Sequence, residues 1–189
     1  MSGLELLLVA VVAALVRAIL RLFRSYSDPE VPLDREGLLD ALTETLEGYS
    51  AKAQVLAVAL VNSTVEKQLG VEHVLSADDI AAALTPTVDT HKLRAAFAVI
   101  IDDEGSDRLM RLTRLAKNEV YYAAQQATHR VIESDPAIVG WVRQMETDAC
   151  QLCRWWSRKG RVWPVTHRMP THKGCACTPR PVTKKEVTK

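Results

Sequence analysis

His129-Arg130-Val131-Ile132-Glu133-Ser134-Asp135-Pro136-Ala137-Ile138-Val139-Gly140-Trp141-Val142-Arg143-Gln144-Met145 is where the character of this chain changes. Upstream, Leu109, Leu112, Ala116, Val120, Ala123, Ala127 and Val131 recur every three or four positions, which predicts a long helix over 107–132 with one apolar face. Asp135-Pro136 ends it, because proline lacks the amide the helical ladder needs and its ring clashes with the turn before it. Beyond the break, Ile138 to Met145 has the β-branched and aromatic content of a strand. One junction thus separates a helical body from a small sheet-bearing module.

The body reads as helical throughout. Asp34 is placed to cap a helix bearing Leu38, Leu39, Leu42 and Leu46, the apolar pattern resumes from Ala51 to Leu69, and Gly70 is a stop. Ser76 with Asp78 and Asp79 starts a short helix ending before Pro86, and 91–101 forms another, with a turn at 102–106. In the module, Arg161-Val162-Trp163-Pro164 and 176–182 read as short strands separated by Gly160, Pro170 and Gly174.

All four cysteines fall between Cys150 and Cys177, as Cys150-Gln151-Leu152-Cys153 and, after 21 residues, Cys175-Ala176-Cys177. His172 stands three positions before Cys175. A Cys-x2-Cys turn aims two thiolates at one point and suits tetrahedral zinc, with a second pair or His172 completing the ligands. Cys150, Cys153, His172, Cys175 and Cys177 are the candidate metal ligands. Residues two apart on a strand stand about 7 Å apart, so Cys175 and Cys177 reach one ion only if a bend at Gly174 draws them together. Two disulfides, or four reduced thiols packed as small hydrophobes, are the alternatives.

With 48% apolar residues the chain of 189 has material for a real core and is not a disordered chain. Its 24 basic and 23 acidic side chains nearly cancel, so the whole molecule lacks the field of a dedicated phosphate-binding protein. The basic residues concentrate late: Arg154, Arg158, Lys159, Arg161, Arg168, Lys173, Arg180, Lys184, Lys185 and Lys189 face one acid beyond Cys150, Glu186. Trp155, Trp156 and Trp163 lie among them, placed to stack on single-stranded bases or, the favoured reading, to fill the core of a small module.

At the N-terminus, Leu6 to Val16 is an unbroken apolar run followed by Arg17, Arg21 and Arg24. Eleven residues at about 1.5 Å each span roughly half a bilayer core, and no basic region precedes the run as in a signal peptide. The spacing of the arginines against Leu20 and Phe23 predicts an amphipathic helix that docks on a partner, a membrane anchor being the lesser alternative.

The pattern Cys-x2-Cys, Gly160, Val162, a proline, then His172-Lys173-Gly174-Cys175-Ala176-Cys177 resembles the Mu F-like minor head proteins of phages, whose pattern ends in His-x2-Cys-x-Cys. Trp141-Val142 looks like that family's strand before the first cysteine, and Arg111 to Arg130 its preceding helix; the resemblance covers roughly 107–182. Gln151 stands where a proline is frequent in the family, and Ala176 where an arginine is. The resemblance implies a minor capsid protein present in few copies in the virion, inside the phage head near the portal vertex. It implies a portal protein oligomer as partner, with major capsid protein or packaged DNA as further contacts, and a part in head morphogenesis or genome packaging and delivery. The expected organisation is mainly α: a projecting N-terminal helix at 1–24, a linker at 25–33, a helical body at 34–134, a Mu F-like Cys/His-stapled α+β module at 135–182, and a basic tail at 183–189.

No catalytic signature accompanies this. His73, His91, His129 and His167 lack a recognisable nucleophile or acid, and His129 with Glu133 reads as an exposed pair on a helix face. There is no Gly-x-Ser-x-Gly, no His-Glu-x2-His and no phosphate loop, and no His-x-Glu precedes Cys150 as in cytidine-deaminase-like sites. The expectation is a non-enzymatic protein. A nucleic-acid-binding zinc module and a head maturation protease are the rivals.

Overall fold

The computed structural model of the chain describes residues 3–27, 30, 33–146 and 148–188. Five helices come first: α1 Gly3–Tyr26, α2 Arg35–Leu69, α3 Ala77–Ala83, α4 Thr90–Ile101 and α5 Arg108–Ser134. Strand β1 Ile138–Gln144 follows, then α6 Gln151–Trp156, β2 Trp163–Pro164, β3 Thr178–Thr183 and α7 Lys184–Val187. The chain is mainly α with a small sheet. Asp28, Pro29, Val31 and Pro32 of the expected linker, and Lys189 of the expected tail, lie outside the described residues.

The caps are those the residue types predict. Asp34 accepts the Gly37 amide at 2.6 Å, the Ser76 hydroxyl accepts the Asp79 amide at 3.1 Å, and Asp89 accepts the Lys92 amide at 3.0 Å. Gly70 ends α2 with φ +70°, a conformation glycine adopts without a side-chain penalty. α2 runs unbroken through 47–50, where the apolar pattern lapses, because Glu47 and Gly48 face water and a solvent-facing turn needs no apolar residue.

The chain divides into two compact units, 1–53 with 86–123, and 54–85 with 124–189. In the first, Leu8, Val12, Leu15 and Ile19 of α1 form a buried stripe, while Arg17, Arg21 and Arg24 stay exposed. α1 is therefore amphipathic as expected, but it does not project: its apolar stripe belongs to the core, with Leu38, Leu39, Leu42 and Leu46 of α2, Phe97 of α4 and Leu112 of α5. Arg108 packs its guanidinium over the Phe23 ring at 5.7 Å. Leu6–Tyr26, whose most apolar 18-residue window has mean hydropathy 2.5, is long and apolar enough by length and composition to cross a membrane, more than the run Leu6 to Val16 suggests. A stripe buried within its own unit is also what a core helix shows.

In the second unit the sheet has the order β2-β1-β3, both pairings antiparallel. Gly140 is required at the centre, since a Cβ there would overlap the Trp163 carbonyl oxygen on the paired strand. Next to it Trp141 is fully buried, donating its indole N–H to the His167 carbonyl at 2.7 Å and meeting His129 of α5 edge-on at 5.6 Å. Gln68 joins α2 to β3 by donating to the Pro181 carbonyl at 2.8 Å and accepting the Thr183 amide at 2.9 Å. These contacts set β1 against α5 and β3 against α2, and fix the frame in which the cysteines sit.

Candidate metal centre

Cys150 is the N-cap of α6, with extended backbone (φ −67°, ψ 165°), and Cys153 is the third residue of that helix. The sequence reads this segment as a turn. A helix start serves the same end, because positions three apart lie on one face. Cys175 and Cys177 lie in irregular chain before β3, after Gly174 at φ +79° and a turn closed by the Cys175 amide on the His172 carbonyl at 3.0 Å. This is the bend that the Cys-x-Cys spacing needs, and it removes the 7 Å separation expected of a straight strand.

The donors form two overlapping groups, Cys150, Cys153 and His172, and Cys153, Cys175 and Cys177, each with its ligand atoms within 4.8 Å of one another. Cys153 is common to both. His172 Nε2 lies 3.2 Å from Cys150 Sγ and 3.1 Å from Cys153 Sγ, and the Cys153 and Cys175 sulfurs are 3.6 Å apart. A tetrahedral ion with metal–sulfur bonds of about 2.3 Å and metal–nitrogen bonds of about 2.0 Å sets ligand separations of roughly 3.5–3.8 Å. These groups can hold a metal ion. All four cysteines are free, and 3.6 Å is far from the about 2.05 Å of a disulfide, so the two-disulfide alternative is not the arrangement found.

Two features of the surroundings bear on whether a cation fits. His172 Nδ1 faces the Lys173 carbonyl at 3.1 Å, so that nitrogen carries the proton and Nε2 presents its lone pair to the sulfurs, the orientation of a ligating imidazole. Arg143 of β1 is 5% exposed and has no carboxylate partner among the described residues. Its Nη1 lies 3.8 Å from both the Cys153 and Cys175 sulfurs, Nη2 donates to the Pro170 carbonyl, and the guanidinium sits over the Trp156 ring at 5.4 Å. Four neutral thiols would leave that buried cation without an anion, which argues against the packed-thiol alternative.

The cysteines differ in proton affinity. Backbone N–H groups of α6, that of Cys153 first, draw the Cys150 thiol below its usual range, and burial pushes Cys153 up to about 12. Cys175 is lowered by the hydrogen bond it receives from Cys177, whose own thiol is raised by donating it and by burial. From α5, Gln125 donates to the Cys175 and Cys177 carbonyls at 3.1 and 2.8 Å, and Glu146 accepts the Ala176 amide at 3.3 Å. Nothing in the cysteine spacing pointed to Arg143, Gln125 or Glu146; a buried arginine two residues after a core tryptophan is legible only once the strand's faces are known.

Other candidates fall elsewhere. His129 is buried rather than exposed: Nε2 accepts the Met169 amide at 2.9 Å, burial holds its pKa down to about 4, and Glu133 pairs with Arg168 at 3.7 Å instead. His73 Nε2 bonds Asp135 at 2.7 Å, and His167 stacks on Trp163 at 4.4 Å. Trp155, expected in the core, is 59% exposed under Arg158, while Trp156 and Trp163 are half-buried; the buried tryptophan is Trp141.

The family model described as VG15 protein matches residues 2–189. No curated protein matches the chain, and no solved structure does.

Proposed function

The chain belongs to the VG15 protein family, a family of phage proteins, and from that premise we propose that it is a minor head protein of the virion, held at the portal inside the capsid. The observation that carries the reading is a family match over the whole chain together with the Cys-x2-Cys and His-x2-Cys-x-Cys pattern that resembles the Mu F-like proteins. Its role is structural and non-enzymatic, in head assembly and in packaging or delivery of the genome. Zinc is the proposed ion. Cys150, Cys153, His172, Cys175 and Cys177 supply its donors, in excess of the four it takes, and a site closed by protein ligands is a staple rather than a catalyst. When bound, zinc ties α6 to the chain before β3, while Arg143, Gln125 and the Nδ1 bond of His172 hold the donors in place.

The test is fractionation of purified particles with quantitative mass spectrometry, followed by pull-down of tagged chain with portal oligomer. A few copies per head and retention by the portal are the expected result. Absence from particles, or presence at major-capsid stoichiometry, overturns the reading.

A second reading, contact with packaged DNA, is favoured by one surface. Arg154, Arg158, Lys159, Arg161 and Lys173 are exposed and have no ion-pair partner among the described residues. Arg158 and Lys159 adopt positive φ, 47° and 58°, in the turn after α6. Binding of the full chain to duplex DNA that weakens steeply with salt, with a shallower slope in Arg158→Ala/Lys159→Ala, is the expected outcome, and salt-insensitive or absent binding removes it.

A further inference from the structure

We infer that the module binds single-stranded nucleic acid, an unpaired base stacking on the exposed ring of Trp155 while Arg154, Arg158, Lys159 and Lys173 hold the phosphates on either side of it. This rests on the DNA-contact reading above and adds the strand state of the ligand and the residue that senses it.

Charge sets the class of partner. No acidic residue stands between Asp148 and Glu186, and Arg154, Arg158, Lys159 and Lys173 are exposed in that stretch without an ion-pair partner among the described residues. Lys173 lies close to α6, because His172 beside it is 3.2 Å from Cys150 at the start of that helix and 6.0 Å from the Trp156 ring. A surface of one sign with no acid to offset it attracts a polyanion, and a nucleic-acid strand carries one charge at each phosphate.

The tryptophans set the strand state. Trp141 is fully buried, Trp156 is half-buried with the Arg143 guanidinium over it at 5.4 Å, and Trp163 has Arg161 over its ring at 4.6 Å and stacks on His167 at 4.4 Å. Trp155 differs. It is 59% exposed, and its ring contact among the described residues is the Arg158 guanidinium at 4.6 Å. A guanidinium on one face of an indole leaves the other for a base, and stacking of that kind tolerates any sequence. The bases of a duplex are stacked on one another, so one must be taken out at a cost before it reaches such a ring, whereas a single strand offers its bases freely.

The backbone explains why the cations gather at this ring. Arg158, Lys159 and Gly160 have φ of 47°, 58° and 84°, a left-handed run that two residues with side chains adopt at a cost. The run ends α6 abruptly and leaves Arg158 over Trp155 with Lys159 beside it. An acidic peptide would also meet these charges, but its carboxylates bring no planar ring to Trp155.

Fluorescence anisotropy of labelled oligothymidylate, and of a duplex of the same length, titrated with the reduced full-length chain tests this. The single strand is expected to bind more tightly than the duplex, and to be displaced far less readily by polyglutamate than by unlabelled oligothymidylate. Trp155→Leu, which keeps an apolar side chain, is expected to weaken single-strand binding about 5–150-fold and to leave duplex binding unchanged, while Trp155→Phe keeps most of the affinity. Absence of binding to either DNA overturns this inference and the DNA-contact reading together. Equal binding of the two, unmoved by Trp155→Leu, overturns the stacking site and leaves a surface for phosphates alone. Displacement by polyglutamate as readily as by the single strand assigns the surface to an acidic protein instead. Photocross-linking of the wild-type chain to a strand carrying 5-iodouracil needs no variant to fold: adducts at Trp155 support the site, and adducts that all miss it overturn it.

Discussion

The unit formed by 1–53 with 86–123 keeps its charges outside, and the unit formed by 54–85 with 124–189 takes charged and polar groups inside. In the first, Arg35, Arg94 and Arg111 pair with Glu36, Asp40, Asp102 and Asp103 at the surface, over a core of leucines, isoleucines and Phe97. In the second, Gln125, His129, Asp135 and Arg143 are all buried, along with three of the four cysteines. Apolar contacts are non-directional and many, so their loss is graded. Buried polar groups are few and directional, and each depends on a particular partner. The two units are therefore expected to fail differently.

Metal removal separates them most sharply. Chelation of the proposed zinc from the full chain, or Cys153→Ser, is expected to abolish the fixed environment of Trp141 and Trp163 seen by near-UV circular dichroism. Most far-UV helical signal persists. Structural zinc sites contribute on the order of 10 kcal/mol in small modules, far more than any one apolar contact. Simultaneous loss of both signals breaks the comparison, and loss of neither removes the metal's structural role.

Single core truncations come next. Leu15→Ala, at a fully buried position of α1, is expected to cost about 2–5 kcal/mol in denaturant unfolding while zinc stoichiometry is unchanged. Trp141→Ala is expected to cost about 3–5 kcal/mol and to weaken metal retention as well, because Trp141 stands two residues before Arg143 on β1. If Leu15→Ala releases the bound metal, the two regions do not fail independently.

A third contrast is with pH. His129 is held neutral to about pH 4 by burial, with the Arg168 and His167 charges acting in the same direction. Below about pH 6.5 the unfolded chain protonates this histidine and the native chain does not, so stability falls with pH between about 6.5 and 4 and is flat above. The loss across that window is about 3 kcal/mol. Comparing wild type with His129→Gln, which retains an acceptor for the Met169 amide, isolates the term. A pH profile identical in the two chains refutes it.

How far these differences could be read beforehand follows from the physics of each unit. The helices of the first were legible because one-sided apolar spacing and a cap such as Asp34 are local signals, as Ser76 is for α3 in the second. The packing of α1 was not, since an amphipathic stripe reads the same whether it meets its own chain or a partner. In the second unit the cysteines and His172 were legible as a group from their types and spacing, and the strands from β-branched content. What completes the site is non-local: Gln125 and Arg143 reach the cluster across 50 and 32 positions of chain, and no periodicity marks them. His129 misled for a related reason, because its i, i+4 neighbour Glu133 is a local cue and the Met169 amide that claims it is not.

The smallest effect belongs to the surface of the first unit. Arg35 bridges Asp102 through two hydrogen bonds at 2.7 and 2.6 Å, and Arg94 joins Glu36 at 2.6 Å and Asp40. The geometry is good, and the Asp102 hydrogen bond raises the Arg35 pKa further above its ordinary range. Yet Arg35 and Asp102 are 41% and 52% exposed, so water and salt screen most of the attraction and holding two long side chains offsets much of the rest. Arg35→Ala is accordingly expected to leave the unfolding midpoint close to wild type at physiological salt, with a small decrease that appears only at low ionic strength. A salt-independent loss as large as that of Leu15→Ala shows that Arg35 acts through packed contact of its stem rather than charge, and that the surface of this unit is as particular as the interior of the other.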